Sequence, residues 1–195
     1  VPHRWSTIET MTIAFGHGLS VSPLQLASGI CAMVNGGLLI PATLVRRDPE
    51  QPIPYERVIK ARTSMEIRRL MRLVVEDGTG KKAAAPGYLV GGKTGTAEKA
   101  AAGGYRRKAL LSSFVSAFPI NDPRYVVIAL IDEPHGTKET YGYATAGWTA
   151  APTVSRIITR IAPMLGVMPM NEESPEVRAA LTIPSFGKEK KLAAF

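Results

Sequence analysis

The sequence predicts an α/β fold of the α+β kind, an antiparallel sheet flanked by helices, on three observations. Helical stretches marked by capping residues occupy the first 80 or so positions. Three β-rich runs follow, the last two joined by a short turn. A final stretch with apolar residues every three to four positions returns to helix.

Taken in order, Ser22-Pro23 opens the first of these helices: serine caps, proline sits in the first turn, and LQLASGICAMVN continues until Gly36-Gly37 stops it. The proline-rich PATLVRRDPEQPIPYE reads as extended loop or short strands. Thr63 to Glu66, TSME, has the spacing of a capping box, and Met65, Leu70, Met71 and Val74 then share roughly one face of a helix that ends at Gly78. YLVGGKTGTA, ALLSSFVSAFPI and RYVVIALIDEP read as strands. PINDPR between the last two predicts an antiparallel hairpin. AGWTAAPTVSRIITRIAPML is helical in pattern, with Pro152 marking its first turn or a kink. From Asn171 the chain is polar and charged with two prolines, and a loosely held tail is expected. The expected organisation is therefore a unit over 1–170, comprising a helical segment (1–86), a motif strand and sheet (87–133) and a closing helix (146–165), followed by a tail over 171–195.

The 195 residues, 45% of them hydrophobic, suffice for one substantial core. The chain begins Val-Pro-His, and we read it as part of a longer polypeptide. The net charge of +8 is spread over pairs such as Arg46-Arg47, Lys81-Lys82 and Arg106-Arg107, the pattern of a solvated basic surface, and no nucleic-acid partner is expected. Cys31 is the only cysteine, which excludes a disulfide within the chain, and its apolar setting predicts a small core residue. His3, His17 and His135 lack metal-ligand spacing, so no metal site is expected. No run has the apolar length of a membrane span.

The most informative stretch is GYLVGGKTGTAEK, Gly87 to Lys99. Gly87 to Thr94 fits G-x-x-x-x-G-K-[ST], the phosphate-cradling pattern, while Lys93-Thr94-Gly95 spells the K-T-G of serine acyltransferases. A phosphate loop needs a buried strand before its first glycine and a helix from its Lys-Thr. Here GTGKKAAAP precedes, and Gly95, Thr96 and later Gly103-Gly104 follow, so the context argues for a strand. In a strand Lys93 and Gly95 face one way and Thr94 and Thr96 the other, a layout in which a cation and hydroxyls can hold a carboxylate.

The wider sequence resembles the class B penicillin-binding proteins. TIAFGHGLSVSPLQLASGICAMVNGGLLIPATLV is similar to their helical segment between the second and third motifs, and MRLVVEDGTGKKAAAPGYLVGGKTGTAEK to their approach to K-T-G. SSFVSAFPINDPRYVVIALIDEP resembles the two strands that follow, and TAGWTAAPTVSRI the closing helix. F-G-x-G at Phe15 to Gly18 and D-E-P at Asp132 to Pro134 resemble the division-type members. The resemblance implies the C-terminal part of a serine D,D-transpeptidase, a penicillin-recognising fold that cross-links peptidoglycan stem peptides through an acyl-enzyme and is acylated by β-lactams. It implies that Lys93 neighbours the nucleophile, that Thr94 and Thr96 hold the donor carboxylate, and that the Thr96 N–H forms half of an oxyanion hole. Gly95 would keep the strand open to substrate. Tyr105, Tyr141 and Tyr143, with Gly16 and Gly18, are further candidates for lining the cleft. The implied parent is anchored in the cytoplasmic membrane with this domain outside, works with division proteins, and needs no metal or organic cofactor.

One departure qualifies the resemblance. No S-x-N occurs, and the only S-x-x-K, Ser185 to Lys188, follows Pro184, contains Gly187 and lies after K-T-G rather than upstream. The expectation is that both motifs lie on an N-terminal portion of the same protein, and that these residues alone do not turn over. The rival readings are a β-lactam sensor or hydrolase, a P-loop nucleotide-binding protein and a non-catalytic scaffold.

Overall fold

The structure is a computed structural model that describes residues 6–14, 16, 19–101 and 104–181, with the backbone alone at 100–101, 104–108 and 176. A short helix, α1 (Thr7–Ile13), opens it, set by a capping box in which Ser6 and Glu9 exchange bonds. The sequence reading did not include this helix. Helix α2 (Pro23–Val34) starts as the sequence predicts: the Gln25 N–H donates to Ser22 Oγ at 3.2 Å, and the Ser22 N–H to Gln25 Oε1 at 2.9 Å. Past Asn35 the chain turns through Gly36 and Gly37, both at φ +94. A Cβ at Gly37 would lie 2.0 Å from the Ile59 carbonyl oxygen, so that turn admits only glycine. The proline-rich connection is mostly irregular and is pinned by a small antiparallel ribbon, β1 (Leu38–Leu39) with β2 (Glu56–Arg57).

Helix α3 (Ala61–Glu76) corrects the sequence reading at its start. Lys60 occupies the cap position without a side-chain bond, and Thr63 lies inside the helix. Glu66 pairs with Arg62 at 3.1 Å, one turn back, instead of closing a box. Ser64 is fully buried and accepts a bond from the Gly36 N–H at 3.0 Å. The inward face is Ser64, Met71, Arg72 and Val75, whereas Leu70 is 55% exposed. Arg72 sets that rotation. Its guanidinium is buried and donates to Glu76 at 2.8 Å, Glu172 at 2.7 Å and the Val90 carbonyl at 3.2 Å.

The main sheet has three antiparallel strands in the order β3 (Gly91–Ala101), β4 (Gly104–Phe118) and β5 (Tyr125–Asp132). Tyr88, Leu89 and Val90, read as the start of the motif strand, are buried just before it. Gly91 pairs with Ala117 and Thr96 with Ser112, and the register shifts between Glu98 and Ala100. The expected hairpin is present, with Phe118 opposite Tyr125 and Leu111 opposite Asp132. Glycines let the layers close on β3: a Cβ at Gly91 would meet Ile120 at 2.5 Å, and one at Gly92 the Phe114 ring at 2.5 Å.

Alternation along β4 divides the core. Phe114 and Phe118 pack with Val154, Ile158 and Ala162 of α4 (Ala150–Met164). On the opposite face Ala117 and Ile120 meet Val34 of α2, Met71 of α3 and Leu89. Pro152 lies in the first turn of α4, where its missing N–H costs no helical bond. The expectation of a loose tail is corrected over residues 171–181. Helix α5 (Pro175–Leu181) buries Leu181 against the second cluster, and Ala180 accepts a bond from Arg69 at 3.0 Å. Ser185 to Lys188 lie outside the described residues.

Cys31, expected in the core, is exposed on α2. It lines an apolar groove with Leu24, Ile40 and Val126, and partial desolvation there pushes its thiol pKa up. Helical periodicity turns Ala32 and Val34 inward instead.

Candidate active site

Strand β3 carries Lys93, Thr94, Gly95 and Thr96 along one edge of the sheet; among the described residues it pairs only with β4. Pleating puts the two threonines on a common face. Thr94 Oγ1 lies 2.9 Å from Thr79 Oγ1, in the loop after α3, and Thr96 Oγ1 accepts the Ala146 N–H at 3.1 Å. Lys93 is exposed and its Nζ donates to the Thr94 carbonyl at 2.9 Å and to Thr94 Oγ1 at 3.4 Å. Gly95 makes its close contact within the sheet. A Cβ there would meet Ser113 Oγ on β4 at 2.5 Å, and that hydroxyl donates to the Gly95 carbonyl at 3.1 Å. The glycine makes room for the neighbouring strand's side chain. The phosphate-loop reading fails on this backbone, because Lys93-Thr94 continue as strand to Ala101 and begin no helix.

The loop between β5 and α4 is held against the same strand. Ser112, fully buried on β4, donates to the Ala144 carbonyl at 2.7 Å, two residues from the Ala146 bond to Thr96. This anchoring brings Trp148 over the loop. Tyr143 stacks on its indole with centroids 5.5 Å apart, and Tyr141 meets it edge-on at 5.6 Å. Lys82 Nζ sits 4.3 Å from the indole centroid. Between these groups and the motif strand opens a cavity of about 440 Å³ lined by Thr79, Lys82, Thr94, Thr96 and Trp148. Further along β3, Lys99 pairs with Asp132 at 2.5 Å and Glu133 at 3.1 Å, and these carboxylates, Asp132 foremost, raise its pKa. Among the described residues no cluster of His, Cys, Asp or Glu suits a metal ion.

The site is thus a K-T-G edge strand with hydroxyls on one face, backed by a helix-covered antiparallel sheet. Residues 1–158 match the family described as "Transpeptidase: Penicillin binding protein transpeptidase domain". The chain belongs to that family. Among curated relatives, the "Probable peptidoglycan D,D-transpeptidase FtsI" of Caulobacter vibrioides is 42% identical over 175 residues, covering 85% of this chain and 30% of the relative. "Stage V sporulation protein D" of Bacillus subtilis is 38% identical over 180 residues, 87% of this chain and 27% of the relative. The chain thus spans under a third of the length of these two relatives. In structure it is similar to the transpeptidase domain of penicillin-binding protein 3 from Burkholderia pseudomallei, with TM-score 0.76 and 39% identity, covering 85% of this chain and 49% of that one. It is also similar to penicillin-binding protein 3 from Mycobacterium tuberculosis complexed with ampicillin, with TM-score 0.74 and 27% identity, covering 91% of this chain and 42% of that one.

Within this transpeptidase-family chain, the residues singled out from sequence besides Lys93 and Gly95, which lie on β3 outside the cavity lining, fall into three groups. Thr94, Thr96 and the Tyr141–Tyr143 loop converge around the cavity wall, the tyrosines through Trp148. Gly16 stands apart at the end of α1 in a positive-φ turn, its N–H bonded back to the Ile13 carbonyl at 3.0 Å. Tyr105 lies on β4 opposite Ala100 with its side chain outside the described residues, as Gly18 is altogether. Sequence reasoning missed Thr79, Lys82 and Trp148. The one signal for Trp148 is an aromatic residue beside a glycine just before a helix; nothing in GTGKK marks Thr79 or Lys82 as neighbours of a strand that follows them.

Proposed function

We propose that the protein is a peptidoglycan D,D-transpeptidase of septal wall synthesis and a β-lactam target, of which this chain supplies the K-T-G wall. The observation that carries the reading is the exposed edge strand on which Lys93 and the paired hydroxyls of Thr94 and Thr96 stand free of any carboxylate partner among the described residues. In this reading a serine on a preceding portion of the protein, which also carries S-x-x-K and S-x-N, attacks the penultimate D-Ala carbonyl of a donor stem peptide. D-Ala leaves, and the amine of a second stem peptide resolves the ester. Lys93 turns towards that serine and supplies positive charge and a proton-relay contact. Thr94 and Thr96 hold the donor's terminal carboxylate, and the Thr96 N–H faces the developing oxyanion. The parent is anchored in the cytoplasmic membrane with this domain outside it. No helix among the described residues is long and apolar enough to cross a membrane.

The test is intact-mass and peptide-mapping analysis of the full-length protein after incubation with benzylpenicillin. The expected result is a single adduct on a serine outside these 195 residues, with acylation slowed about 10²–10⁴-fold by Lys93→Ala and about 10–100-fold by Thr96→Ala. An adduct on Ser185, or none at all, overturns the reading, the latter in favour of a scaffold. Rapid loss of the adduct with release of penicilloate identifies a hydrolase instead.

A further inference from the structure

The cavity beside the motif strand is lined by donors. Thr96 Oγ1 already accepts the Ala146 N–H, which leaves its own proton to give. Thr94 and Thr79 share one hydrogen bond between two hydroxyls, so one of those protons is also unspent. No acidic residue lines the space. A ligand that satisfies this wall is an acceptor, and two lysines at the mouth make it an anion. The lysines are not equivalent. Lys81 is bound to Asp77 at 2.9 Å, which neutralises it. Lys82 has no carboxylate partner among the described residues and rests on the indole of Trp148. Lys93, the motif cation, is not part of this lining, and its Nζ is turned to the Thr94 carbonyl.

The geometry points to Lys82, carried on the face of Trp148, as the specificity-determining cation for the donor's terminal carboxylate. The assignment rests on the transpeptidase reading and deepens it. A free lysine side chain would lose rotamer entropy on meeting the carboxylate. The indole face confines the ammonium beforehand by cation–π attraction, leaving its N–H bonds free to turn to the ligand. Lys82 is placed to act on capture and not on the acyl-transfer step, since it touches neither Lys93 nor the Thr96 backbone. The Tyr143 stack and the edge-on Tyr141 fix the indole plane, which gives those tyrosines a positioning role through Trp148.

The experiment compares benzylpenicillin with its methyl ester, which blocks the carboxylate corresponding to the donor's terminus. Second-order acylation rate constants of the full-length protein are read by intact mass for wild type, Lys82→Gln, Lys82→Arg and Trp148→Leu. Lys82→Gln is expected to lower the constant for the acid about tenfold, the scale of one charge-assisted hydrogen bond. The constant for the ester should stay within about twofold of wild type, as expected where no charge pairs with the lysine. Lys82→Arg keeps the preference for the acid, and Trp148→Leu loses part of it. Equal falls on acid and ester in Lys82→Gln, or no fall on either, overturn the assignment, because damage to the fold acts on both ligands alike. A wild-type protein acylated by neither ligand overturns the transpeptidase reading and the assignment with it.

Discussion

Gly95 shows how little freedom the motif strand has. Its Cα faces Ser113 Oγ so closely that a methyl group would displace the hydroxyl now bonded to the Gly95 carbonyl. Gly95→Ala is therefore expected to slow acylation of the full-length protein by benzylpenicillin at least about tenfold, with Ser113→Ala in the same chain recovering part of the loss by opening the space. No recovery in the double variant would mean that glycine is needed on the substrate side. At this scale the sequence was most legible where functional residues are consecutive: Lys93 to Thr96 announce themselves as a tetrapeptide. Thr79 and Trp148 were not, because they reach Thr94 and the cavity only through the path of the backbone, 15 and 54 positions away along the chain.

Helix starts illustrate the next scale. Among the described residues two capping boxes exist, at Ser6 and Ser22, and the T-x-x-E at Thr63 is not a third. The pattern is local, but an Arg62–Glu66 pair and the buried Ser64 bond to Gly36 favour continuing the helix back to Ala61. Thermal or urea denaturation separates these roles. Thr63→Ala, exposed inside a helix, is expected to leave stability within about 0.5 kcal/mol. Ser64→Ala strips the Gly36 N–H of its partner and should cost about 1–3 kcal/mol. A larger loss from Thr63 than from Ser64 would restore the capping-box reading. The strands and the closing helix were legible because their apolar residues recur at one period each; the inward face of α3 was not, because a buried arginine overrides its hydrophobic stripe.

Over the whole molecule, the chain leaves much apolar surface uncovered. Leu24, Leu44, Val45 and Tyr55 are each more than half exposed, and β5 pairs with β4 alone among the described residues. Produced in isolation, residues 1–195 are expected to self-associate at micromolar concentration in sedimentation velocity. If the proposed function holds, co-production with the serine-bearing portion it calls for should yield a soluble one-to-one assembly. A well-behaved monomer at the same concentration would contradict this. The hairpin of β4 and β5 was readable from turn chemistry; the pairing of β3 with β4 was not, and neither was the burial of residues 171–181, since a polar composition conceals the ion pair of Arg72 with Glu172. That pair has a practical side. Arg72 holds Glu172 with one nitrogen and the carbonyl just before the motif strand with another, and Glu172 also accepts the Gly87 N–H at 3.3 Å. A boundary drawn at Met170 to trim an apparent tail would remove the counter-charge from beside the motif strand, so the residue at which a crystallographer or an engineer ends the chain bears on the shape of the candidate site.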